Sequence, residues 1–251
     1  MFDVTQRGEV AVLRMSHGKA NTIDVEFCQG ITERLEEIKN SSSKALVLTG
    51  ERNIFSAGLD LTRVLEEGGE YLQSLAPVLS GVFETLFLYP KPVVAAVNGH
   101  AIAGGCLLVC TADHRIMARG TGRIGTPELL LGVPLPTIAL EIMRFVTNSQ
   151  HLQTMLYSGA TYLPEDAAGR GLVDELVEPT DLLDKAVEKA EKLTTISPKV
   201  FEHTKRHIRQ PVLERVRDRQ SSFEQSVLDM WGAPETLEAI RNYVSRTLKK
   251  D

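Results

Sequence analysis

A single tryptophan, three cysteines and no apolar run near the length of a bilayer crossing narrow the field before any motif is sought. A membrane helix needs about 18 or more consecutive apolar residues, and no stretch of that length occurs. Cys28, Cys106 and Cys110 are odd in number, and no pair has the C-x-x-C spacing of a redox or zinc site. Cys106 and Cys110 lie four apart in an apolar run and read as small core residues on one helix face. A reducing, cytoplasmic setting is the expectation. Charge of one sign is also scarce: 28 Lys+Arg stand against 33 Asp+Glu, interspersed, for a net charge of −5. The concentrated basic face of a nucleic-acid or membrane-surface binder is therefore missing. The first 15 residues show no basic segment followed by an apolar block, so no secretory signal is expected. The final Lys249-Lys250-Asp251 is not a peroxisomal address.

What is present is ample core material, 43% hydrophobic over 251 residues. The N-terminus reads as two short strands around Arg7-Gly8, the second at 9–15; 45–49 and 92–97 are further apolar strands. Between them, 25–39 carries Phe27, Ile31, Leu35 and Ile38 at helical spacing, and 70–88 carries Leu72, Leu75, Val78, Leu79, Val82, Phe83 and Leu86. This alternation predicts an α/β domain with largely buried strands. Beyond Gly171 strand signals fade. Residues 181–193, 198–216 and 221–250 read as helices, with Pro211 expected to break or kink the middle one. Phe223, Val227, Met230 and Trp231 should pack on the body or on a neighbouring subunit.

Two glycine-containing turns follow apolar strands. One is Phe55-Ser56-Ala57-Gly58-Leu59-Asp60-Leu61; the other runs from Asn98-Gly99-His100 to Ala103-Gly104-Gly105-Cys106-Leu107. Small residues let a ligand approach the backbone, and a helix start offers N–H groups without intrahelical partners. One such turn alone is ordinarily just a turn. Two converging ones would make an oxyanion hole. A third segment, from Gly125 to Pro134, contains one acid, Glu128. A lone glutamate usually sits solvated at a loop edge; facing an apolar pocket, its pKa would rise and it would serve as a base.

The order and spacing of these three features resemble the crotonase, or enoyl-CoA hydratase/isomerase, superfamily, over nearly the whole chain. Within it the motifs are most similar to mitochondrial-type Δ3,Δ2-enoyl-CoA isomerases. The resemblance implies an α/β spiral of ββα units over 1–195 and a helical trimerisation layer over 196–251, assembled as a homotrimer or a dimer of trimers. It implies an acyl-CoA thioester substrate, with coenzyme A entering as part of the substrate and neither metal nor resident cofactor. The backbone N–H groups of Leu59 and Gly104 become the oxyanion-hole donors and Glu128 the base. Lys19 is placed to meet a CoA phosphate and Ala20 the adenine, while Ser56, Ala57, Gly58, Leu61, Gly105, Leu107 and Pro127 surround the thioester. Asp60 should hold its loop rather than react. Hydratases of the family use a second glutamate where this chain has Leu107, one helical turn after Gly104. One carboxylate suffices for a 1,3-proton shift from 3-enoyl-CoA to trans-2-enoyl-CoA.

Several readings stand beside this one. Another crotonase-type activity, such as a hydratase, decarboxylase or thioester hydrolase, depends on pocket shape. A serine hydrolase built on Ser56 or Ser16 with His100 lacks the G-x-S-x-G elbow. A trimeric acyl-CoA-binding scaffold without turnover would explain the missing glutamate. Val64, Leu72 and Leu75 could line an acyl tunnel or simply fill the core. His114, His151, His203 and His207 show no metal-site pattern; the last two read as a solvated basic face with Lys205 and Arg206, which, like Lys249-Lys250, could touch a CoA phosphate.

Overall fold

Apolar strands without polar alternation must be covered on both faces, and that requirement shapes the molecule. A computed structural model describes residues 1–247. A hairpin, β1 (Phe2–Arg7) and β2 (Val10–Met15), opens the chain and leads to β3 (Thr22–Ile23) and α1 (Val25–Asn40). The next unit is β4 (Ala45–Thr49), β5 (Ile54–Ser56), β6 (Gly58–Leu59) and α2 (Leu61–Phe87). It is followed by β7 (Val93–Val97), β8 (His100–Ile102) and α3 (Gly104–Thr111), then by β9 (His114–Ala118), β10 (Ile124–Gly125) and a 3-10 turn at Glu128–Leu131. The remainder is α4 (Thr137–Val146), α5 (Ser149–Ser158), β11 (Thr161–Tyr162), α6 (Pro164–Gly169), β12 (Glu175–Val177), α7 (Leu182–Thr194), α8 (Pro198–Trp231) and α9 (Pro234–Thr247).

Each unit sends one long strand to a six-stranded sheet, ordered β1-β2-β4-β7-β9-β12 and parallel except for β1. Short strands from successive units line up as β11-β10-β8-β5, with β3 and β6 paired separately. This is the spiral of ββα units. The period-two rule divides the long strands cleanly. Val10, Val12, Ala45, Val47, Val94 and Ala96 face α7, while Leu13, Met15, Leu46, Leu48, Ala95 and Val97 face the main core with α1, α2 and α3.

Several expectations require correction. Helix α2 starts at Leu61, not 70, because the Asp60 side chain caps it by accepting from the Arg63 N–H at 3.0 Å. Its stretch before Gly68 carries only the short stripe Leu61, Val64 and Leu65, and Gly68 breaks the helix with φ +73°, a left-handed backbone that glycine tolerates. Pro211 neither ends nor splits α8. The carbonyl it deprives of a partner belongs to His207, on an exposed part of the helix that faces solvent. The actual break comes at Gly232-Ala233, before Pro234 at the start of α9. Strand signals do not vanish after Gly171 either, since half-buried β12 extends the large sheet beside β9.

Lys205 is buried, not part of a solvated face: its ammonium donates to Asp113 Oδ2 at 2.7 Å, and burial lowers its pKa to about 8. Arg209, one turn on, donates to the carbonyls of Thr111 (3.0 Å), Ala112 (3.2 Å) and Phe87, satisfying the C-terminal ends of α3 and α2. These bonds fasten α8 to the body. Val212, Val227, Trp231 and Ile240 accordingly belong to the main core, whereas Phe223 and Met230 remain exposed.

Candidate active site

The early loop and the first glycine turn are built as one piece. Asn21, with φ +48°, donates from its amide to the carbonyls of Met15 (3.0 Å) and Phe55 (3.1 Å). The Ser56 hydroxyl donates to Asn21 O at 2.7 Å and accepts from the Gly58 N–H at 3.2 Å. Ser56 is fully buried, so it shapes the turn from beneath and does not reach the cavity. Its partners also rule out a Ser56–His100 pair. Ala20 accepts from Ala57 N–H at 3.0 Å, which ties it to the same turn. Lys19 stands exposed nearby.

The two glycine turns meet directly. A Cβ on Gly58 would lie 2.8 Å from Ile102 O and 3.2 Å from Gly104 N, so only glycine permits this approach, and its φ of +84° demands it too. Asp60 N–H bonds Ile23 O at 3.1 Å, and strand alternation turns the preceding Leu59 N–H away from β3. Gly104 opens α3, so its N–H has no intrahelical acceptor. Ala103 before it holds φ +54°, a strained value for a residue with a side chain, and this aims the helix start at the turn. Gly105 packs behind on Ser56, against whose carbonyl any Cβ would collide. It supports the site without lining it.

Leu59, Gly104 and Glu128 line one cavity, together with Ala57, Leu61, Leu107 and Pro127. Glu128 begins the 3-10 turn and is buried to 8% exposure. Burial pushes its pKa up to about 8, opposed only weakly by its own backbone N–H, and Oε2 has no hydrogen-bond partner in the described residues. Among the residues lining the cavity it is the sole carboxyl. Sequence reasoning missed much of the wall: Leu79 and Phe83 from α2, Leu131 at the end of the 3-10 turn, Val133, Leu135 and Pro136 after it, and Trp231 and Tyr243 from the C-terminal helices. Val64, Leu72 and Leu75 are core residues outside the cavity. Lys249 and Lys250 lie outside the described residues.

A family model described as enoyl-CoA hydratase/isomerase matches residues 5–247. The chain belongs to that family. Rat mitochondrial enoyl-CoA delta isomerase 1 is 29% identical over 88% of this chain and 78% of its own length. A short-chain-enoyl-CoA hydratase of Clostridium acetobutylicum is 30% identical over 81% and 78%. In three dimensions, a human mitochondrial delta3-delta2-enoyl-CoA isomerase superposes with a TM-score of 0.94 over 100% of this chain and 99% of the other, at 24% identity. The family's enzymes thus share this fold, and the names divide between isomerase and hydratase. Among the described residues no helix is long and apolar enough to cross a membrane, and no cluster of His, Cys, Asp and Glu could hold a metal.

Proposed function

We propose that this family member is an isomerase that converts a 3-enoyl-CoA thioester to its trans-2-enoyl isomer through a dienolate. The observation that carries the reading is the composition of the cavity: one carboxyl with an unpartnered oxygen, the backbone of Leu59 and of Gly104 at the start of α3, and walls that are mostly apolar. The thioester oxygen sits between the Leu59 and Gly104 N–H groups. Ionised Glu128 takes a proton from C2, the negative charge delocalises onto the thioester oxygen, and neutral Glu128 returns the proton to C4. Charge that develops on oxygen meets preorganised donors in a dry site, where one donor is worth on the order of 3 kcal/mol. A carboxylate stripped of water is also a stronger base than one in solvent.

Hydration would need a second polar group to orient water, and Leu107 occupies the place where the family's hydratases use one. The hydratase name of the Clostridium relative keeps that reaction as the second reading. Lys19 and the Ala20 backbone, beside the mouth, are the CoA-facing residues. The proton shift as written uses Glu128 and the two N–H groups alone, with coenzyme A entering on the substrate. A homotrimer or dimer of trimers fits the exposed Phe223 and Met230 on α8. Three buried, unpaired cysteines suit a reducing compartment, cytoplasmic or, as in the rat relative's name, mitochondrial. The test is direct: offer 3-hexenoyl-CoA and trans-2-hexenoyl-CoA to the purified protein. Conversion of the first with no hydration of the second supports the proposal; hydration of the second as the faster reaction would overturn it.

A further inference from the structure

The cavity that holds Glu128 closes against this chain's own C-terminal elbow. Helix α8 ends at Trp231, the chain turns through Gly232 and Ala233, and α9 begins at Pro234. Three side-chain bonds lock the turn to the segment after the 3-10 turn and to itself. The Trp231 indole N–H donates to Pro134 O at 2.8 Å; the Thr236 hydroxyl donates to Met230 O at 2.7 Å and reaches Gly132 O at 3.3 Å. On the other side Gly232 presses on the break in α2, where a Cβ on Gly69 would lie 3.3 Å from Gly232 Cα. Trp231 is 2% exposed and lines the cavity with Leu79, Phe83 and Tyr243. A ring held this way has nowhere to swing.

The space inside is small, with a cavity volume of about 70 Å³. A cavity of about 150 Å³ takes up one benzene ring, so a space about half that size suits a short acyl chain and not a long one. We propose that Trp231 is the stop of the acyl pocket and that the substrates are short-chain 3-enoyl thioesters. This rests on the acyl-CoA reading above. A longer chain would have to displace the ring, break its bond to Pro134 and open the elbow at Gly232.

Saturated thioesters test the pocket without turnover. By isothermal titration the wild type should bind hexanoyl-CoA about tenfold or more tighter than decanoyl-CoA, since the outer methylenes of the longer chain strain a wall that has no room for them. Trp231→Ala should shift that ratio at least about tenfold toward decanoyl-CoA. Trp231→Phe, which keeps a buried aromatic ring, and Tyr243→Ala, at a half-buried position, should shift it in the same direction; they carry the test if the alanine variant fails to fold. Equal or tighter wild-type binding of decanoyl-CoA would overturn the proposal, as would an unchanged ratio in all folded variants. Turnover of 3-hexenoyl-CoA is measured separately. Its absence with the hexanoyl preference intact would sink the isomerase reading and leave the pocket stop standing, whereas failure to bind either thioester would sink both.

Discussion

Replacing Glu128 by glutamine should remove turnover and, at neutral and alkaline pH, make the folded protein more stable. In the folded state burial lifts the Glu128 pKa from the usual 4.5 to about 8. A carboxyl raised in this way binds its proton more tightly folded than unfolded. Its contribution is therefore fully present below pH 4.5 and is lost as pH rises toward 8, by about 1.36 kcal/mol per pH unit. The loss amounts to about 3 kcal/mol at pH 7 and levels off near 5 kcal/mol above pH 8. Glutamine has nearly the same shape and no charge, so it escapes the loss. Protonated glutamate and glutamine each leave a polar atom in the same apolar surroundings, so that penalty largely cancels. Urea unfolding of both proteins at pH 5, 7 and 9 reads the difference directly. The variant should match the wild type within about 1 kcal/mol at pH 5 and exceed it by about 3 kcal/mol at pH 7. Equal stability of the two proteins at pH 9, or the same offset at every pH, would refute a desolvated Glu128.

The same ionisation predicts that kcat/KM for a 3-enoyl thioester rises with pH and flattens above about 8, because the free enzyme must present the carboxylate; a profile flat from pH 6 to 9 would contradict it. Gly58→Ala forces a Cβ against Ile102 O at a φ of +84° and should separate the two donors, lowering kcat by about 10²–10³ while KM changes little; steady-state kinetics on the folded variant decide it. Ser56→Ala unties the first turn from Asn21 and should cost about 1–3 kcal/mol in urea unfolding, with activity reduced and not abolished, as fits a buried support. Leu107→Glu places a second carboxyl in the cavity and is expected to slow isomerisation and introduce measurable hydration of 2-hexenoyl-CoA, followed by loss of the enoyl-thioester absorbance.

Much of this protein is legible in its residues, and the illegible parts share a cause. Ala45–Thr49 needs no neighbour to be read as a doubly covered strand, because its apolar run of four leaves no face for water. The glycine turns and the lone acid at Glu128 are equally local signals. The stripe on α2 is different. Its apolar residues are so numerous that periodicity does not say which face the cavity, and Leu79 and Phe83 do so while Leu72 and Leu75 fill the core. Lys205 looked like one of several basic residues on a wet helix until Asp113, 92 positions away, supplied its partner. Gly68 and Gly232 each end a helical run, but that the neighbouring Gly69 and Gly232 touch is a property of the folded chain.

Residue order by itself determined the alternation of strand and helix, the two turns that expose Leu59 and Gly104, and the solitary carboxyl, since backbone freedom and periodic burial act over a few residues. Tertiary structure decided that Glu128 is dry, that Ser56 works from beneath, and that Trp231 shuts the pocket. Desolvation and closure come from walls contributed near positions 57–61, 79–83, 102–107, 127–136 and 231–243, and no local rule joins pieces that far apart in the chain.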